Sequence, residues 1–116
     1  MDLSKLSGFL LIDKPAGITS FDVIRKLRRQ TGIRTFGHAG TLDPFATGLL
    51  IIAVNRYTRL LSLLENYDKD YTATMILGET TSTGDPEGEI TEKKEITINQ
   101  ETIDAVIEKV LQTKSL

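Results

Sequence analysis

An α+β domain with a mixed, largely antiparallel sheet is what this sequence predicts. Three observations carry that reading. Apolar runs of strand length occupy 8–13 and 49–54 and an alternating segment 71–77; helix-spaced apolar stripes occupy 21–27 and 103–111; and long polar, glycine-containing loops separate them. Apolar residues make up 40% of the chain and charged residues 26%, a globular balance that excludes general disorder.

The elements follow in order. Gly8 to Asp13 is a strand ended by the turn Lys14-Pro15-Ala16-Gly17. Thr19 or Ser20 caps a helix of about ten residues, with Asp22 near the positive end of its dipole and Gly32 at its stop. Phe21, Ile24 and Leu27 form its expected inner face, while Arg25, Lys26, Arg28 and Arg29 crowd the other side. Gly37 to Gly48 reads as a structured loop and Leu49 to Val54 as a buried strand. Thr58 to Leu64 is expected to be a short helix with Leu60, Leu61 and Leu64 inward. Tyr71 to Leu77 alternates as a half-buried strand, and Gly78 to Gly88 is a polar loop. Ile90 to Ile98 holds a weaker strand. Asn99 then caps a last helix, striped by Ile103, Val106, Ile107, Val110 and Leu111. No repeat or interdomain linker interrupts residues 1–116. The tail from Gln112 to Leu116 offers nothing to cover an open sheet, so an incomplete domain is expected.

Charge is uneven. Met1 to Asn66 carries nine Lys/Arg against five Asp/Glu, a balance of +4, and Tyr67 to Leu116 carries five against eleven, a balance of −6. The first half therefore suits an anionic partner, the alternative being two solvated charged faces. No apolar run approaches the roughly 20 residues of a membrane span, and no signal peptide is evident, so no membrane partner is expected. The absence of cysteine excludes disulfides and thiolate metal sites and fits a reducing, cytoplasmic location. With His38 the only histidine, no metal site is expected.

Asp43 is the candidate for chemistry. A nucleophilic carboxylate must be reachable and held still. Gly37 and Gly40 permit close backbone approach, Pro44 stiffens the chain after the acid, and Leu42 can anchor the loop in the core. An Asx-turn residue before a proline is the competing reading of Asp43. His38 is open to the roles of general base, base-stacking group or plain loop residue. Tyr71 is either a rim aromatic or a stacking platform for a nucleobase. The glycines match neither a P-loop nor a dinucleotide fingerprint.

Three ordered segments resemble one family. GHAGTLDPFATGLL (Gly37 to Leu50) is similar to the catalytic motif of the TruB family of tRNA pseudouridine synthases. LLIDKPAGITSFDVIRKLRR (Leu10 to Arg29) resembles that family's opening, and YTATMILGETTSTGDPEGEI (Tyr71 to Ile90) its following strand and loop. The resemblance implies a pseudouridine-synthase-like fold, of which residues 1–116 would be the N-terminal portion of the catalytic domain. It implies isomerisation of uridine 55 in the TΨC arm of tRNA, with Asp43 as the attacking aspartate. Tyr71 would pack on the flipped uracil, and His38 would enter the space the uridine leaves. Lys14 and the basic helix would approach the RNA backbone, and Gly40 and Leu42 in the same loop as Asp43 are further candidates for substrate binding. No cofactor is implied, and the wording of the Asp43 segment resembles bacterial members rather than relatives that work with guide RNA. Family members are longer and carry a later arginine that pairs with the aspartate, so a non-catalytic RNA-binding fragment is the alternative.

Overall fold

The computed structural model describes residues 2–113; Met1 and the end of the tail, Lys114 to Leu116, lie outside the described residues. The fold is α+β. It divides into two compact units, Met1–Tyr71 and Thr72–Leu116.

The first unit holds the core. Strand β1 (Gly8–Lys14) is followed by helix α1 (Ser20–Thr31), then strands β2 (Phe36–Ala39) and β3 (Gly48–Val54). The apolar run makes β3 the central strand, with β1 and β2 both antiparallel to it in the order β1-β3-β2. Leu50, Ile52 and Val54 point from β3 to α1 and meet Val23, Ile24, Ile33 and Phe36. Every pairing among the described residues is antiparallel.

Helix α1 begins in a capping box: Thr19 Oγ1 accepts from the Asp22 amide and the Asp22 carboxylate accepts from the Thr19 amide, each at 2.9 Å. Those Thr19 hydrogen bonds, the backbone amide first, hold Asp22 below its ordinary carboxylate value. Because the folded value is the lower one, this contribution is present above the unfolded value and is lost as pH falls through the folded one. Phe21 departs from its expected inward position and is exposed. The inward stripe is instead Ser20, Val23 and Ile24, buried, with Leu27 half-buried beside them, because the cap sets the helix phase and turns the Ser20 hydroxyl inward. Phe21 lies outside beneath two guanidinium groups, Arg25 at 4.8 Å and Arg28 at 5.6 Å from the ring centre.

Two segments differ from the sequence reading here. Gly37 to Ala39 pairs with β3 as part of β2 instead of belonging to the loop, which narrows the loop to 40–47. Asn55–Leu64 is a 3₁₀ helix; Leu61 and Leu64 are half-buried and Leu60 is exposed. Asn55 opens it at φ 52°, a left-handed position that asparagine tolerates. Its side-chain amide reaches back to the carbonyls of Ser4 and Leu6.

The second unit contains a hairpin and a helix. Strands β4 (Glu79–Thr81) and β5 (Ile90–Lys93) pair antiparallel, so part of the expected polar loop is strand and the weaker strand is shorter than 90–98. Asp85 organises the connection, accepting from Thr83 Oγ1 at 2.6 Å and from the Glu87 amide at 2.9 Å. The Asn99 cap and helix α2 (Gln100–Leu111) are as expected. Its stripe is not a core: Ile103 is half-buried, while Val106, Ile107, Val110 and Leu111 are exposed. The expected strand over Tyr71–Leu77 is irregular backbone. Alternation prepares one face for burial, but a strand needs a neighbour for its amides and carbonyls. None of the described residues supplies one.

Candidate active site

Strand register brings the site together. Lys14 at the end of β1 lies opposite Gly48 at the start of β3. The turn leaving β1 therefore meets the loop entering β3, and Asp43 sits in that loop rather than in a helix.

The backbone on each side of Asp43 is tied to the β1–α1 turn. Before it, Leu42 is held twice by one hydroxyl: Ser20 Oγ accepts from the Leu42 amide at 3.1 Å and donates to the Leu42 carbonyl at 3.3 Å. After it, the Pro44 carbonyl accepts from the Gly17 amide at 2.7 Å and from Lys14 Nζ at 3.2 Å. The Asp43 carbonyl closes a tight turn by accepting from the Ala46 amide at 2.9 Å. Main-chain atoms are thus fixed at 42, 43 and 44. The Asp43 residue is exposed, and its carboxylate has no hydrogen-bond or ion-pair partner among the described residues. An acid whose backbone is pinned and whose side chain is open can meet a ligand without reorganising the loop.

Lys14 corrects the sequence reading. It has no exposed surface, so it does not face outward toward an RNA backbone. An ammonium has three donors, and all three find carbonyl oxygens: Pro15 at 2.8 Å, Ile18 at 2.7 Å and Pro44 at 3.2 Å. These bonds compensate the burial of the group and weld the turn to the loop.

His38 lies half-buried on β2 opposite Ile52, its Nδ1 3.2 Å from the Gly40 carbonyl. Gly40 takes φ 71°, which a side chain would strain, and has open space around it. Gly37 differs. A Cβ there would lie 2.6 Å from Leu61 Cδ1, so the close approach it permits is to this chain's own 3₁₀ helix. Tyr71 is 72% exposed in the irregular segment, and no hydrogen bond joins it to the Asp43 loop among the described residues.

Lys14, Leu42 and Asp43 are therefore brought together, His38 is joined to Gly40, and Tyr71 is not part of this hydrogen-bonded cluster. Ser20 and Gly17 were missed by sequence reasoning. Ser20 had a signal: it stands in phase with Val23, Ile24 and Leu27, at the core positions of the helix. On α1, Arg25 pairs with Asp22 at 3.2 Å and Arg28 Nε donates to the Arg34 carbonyl at 3.0 Å. Lys26 and Arg29 are exposed without an ion-pair partner among the described residues. Those residues contain no cluster suited to a metal ion, and no helix among them is long and apolar enough to cross a membrane.

Fold and site together define a carboxylate-bearing loop, braced by an antiparallel sheet and flanked by a basic helix. The chain belongs to the TruB family of pseudouridylate synthases, whose N-terminal-domain model matches residues 28–114. It is 58% identical over 85 residues to tRNA pseudouridine synthase B of Cutibacterium acnes, covering 73% of this chain and 29% of that protein. Identity to the synthase B of Paenarthrobacter aurescens is 55% over 89 residues, covering 77% and 29%. With that of Mycobacterium bovis it is 50% over 106 residues, covering 89% and 35%. The chain thus spans about a third of the length of these relatives.

Proposed function

We propose that this chain forms the N-terminal portion of the catalytic domain of a cytoplasmic tRNA pseudouridine synthase acting on uridine 55 of the TΨC arm. Asp43 is the nucleophile. The observation that carries this reading is the exposed Asp43 carboxylate on a loop held through residues 42, 43 and 44. Family membership and the identity to proteins named tRNA pseudouridine synthase B support it.

The target base must leave the stack before it can be reached. Asp43 attacks C1′ as the bond from C1′ to N1 breaks. The freed uracil turns, and C5 bonds to C1′ as the bond from C1′ to Asp43 breaks and frees the carboxylate; the hydrogen of C5 leaves as a proton and N1 gains one. Nothing is oxidised or reduced and no energy source is needed, so no cofactor is required; no guide RNA is expected, because the Asp43 segment resembles bacterial members of the family. Tyr71 stacks on the flipped uracil and His38 fills the space it leaves, with Gly40 and Leu42 shaping the loop between. Lys26 and Arg29 supply phosphate contacts on the outer face of α1. The chain spans about a third of the length of its synthase B relatives, so the 116-residue chain alone is expected to be inactive.

The test uses the natural gene product that carries this sequence and tRNA tritiated at C5 of its uridines. Tritium release is expected, and it should vanish when uridine 55 is replaced by cytidine. Release that survives this replacement would place the target elsewhere. No release from any tRNA would overturn the reading. Release by the 116-residue chain at the gene product's rate would overturn the expectation that this chain alone is inactive.

A further inference from the structure

We propose that Ser20 is a positioning residue for the reaction, orienting Asp43 through the backbone of Leu42; this rests on the reading of Asp43 as nucleophile. Ser20 is the first residue of α1, and it is 3% exposed. Its hydroxyl does not cap its own helix, since Thr19 does that. It crosses instead to the loop and engages both polar atoms of the Leu42 main chain, at 3.1 Å and 3.3 Å. Two bonds from one hydroxyl to one residue restrain the orientation of its main chain as well as its position.

The following residue is Asp43, so the direction of the Leu42–Asp43 peptide sets where the carboxylate points. On the far side, Pro44 is held by Gly17 and Lys14. Those bonds fix one flank of the acid and leave the other to Ser20. Ser20 itself is fixed by helix packing, through Val23 and Ile24 on the same stripe. On the Leu42 side, the core thereby reaches the acid through a single buried hydroxyl. Alanine at position 20 would leave both Leu42 bonds unmade and free that flank to shift. A shift of about 1 Å in a reacting group can cost roughly a hundredfold in rate.

The experiment compares variants of the natural gene product in single-turnover pseudouridine formation, alongside tRNA affinity and melting temperature. Ser20→Ala is expected to slow turnover by roughly tenfold to a hundredfold, with tRNA affinity changed by no more than about twofold. Ser20→Thr, which keeps the hydroxyl, should restore most of the rate. Val23→Ala is the control, since it loosens the same core stripe without touching the loop and should leave turnover by folded protein nearly intact. If Ser20→Ala does not fold, Ser20→Cys, which keeps the shape and weakens both bonds, should show the same slowing.

Turnover by Ser20→Ala within about threefold of the parent, with Asp43→Asn inactive, would overturn this proposal and leave the nucleophile assignment standing. Slowing matched by Val23→Ala at equal loss of melting temperature would also overturn it. An active Asp43→Asn variant would instead defeat the underlying reading of the site.

Discussion

Asp43→Asn in the natural gene product is expected to lower pseudouridine formation by roughly a thousandfold or more, while tRNA affinity stays within about threefold. Asparagine matches aspartate in shape, and the hydrogen bonds that hold this loop run through the main chain of 42, 43 and 44 and not through the Asp43 side chain. The substitution therefore removes charge and nucleophilicity while leaving the loop braced. Single-turnover assays at saturating enzyme separate loss of chemistry from loss of binding. Turnover within about tenfold of the parent would reduce Asp43 to a turn residue before a proline.

The second large effect concerns stability. Lys14→Met is expected to lower the stability of the gene product by about 2–4 kcal/mol and its melting temperature by roughly 5–10 °C. Methionine fills much the same volume but donates nothing. The carbonyls of Pro15 and Ile18 would lose this donor, while Pro44 would keep the Gly17 amide. Relief from burying a charge offsets part of the loss. A lysine that served as a phosphate contact would behave otherwise. Its removal would leave the melting temperature unchanged and reduce the salt dependence of tRNA binding by about one charge's worth. Thermal unfolding together with binding at several salt concentrations distinguishes the two outcomes.

Lys14 also marks where sequence reasoning stopped. A lysine beside a proline in a basic half of the chain reads as surface, because a lysine is rarely buried without partners. Its partners here include Pro44, thirty positions away, which only the β1–β3 register brings close. The helices were legible because their ends carry chemistry: Thr19 and Asn99 at the starts, Gly32 at one stop. The strand β3 was legible from its unbroken apolar run. The phase of α1 was not, because Phe21 is as apolar as Val23 and the residue that settles the matter, Ser20, is polar. Tyr71–Leu77 alternates correctly for a strand, yet pairing is a property of two segments, and no described residue pairs with it. The Asp43 loop was legible as a loop with a stiffened acid. Its bracing by Ser20, Gly17 and Lys14 was not, since all three lie at least twenty positions earlier in the chain.

The function is tested most directly in the cell, by deleting the gene that carries this sequence and mapping pseudouridine in the TΨC arm of the cellular tRNA. Position 55 is expected to revert to uridine, to be modified again when the wild-type gene is returned, and to stay unmodified when the returned gene carries Asp43→Asn. Pseudouridine persisting at position 55 in the deletion strain, or restored by the Asp43→Asn gene, would contradict the assignment.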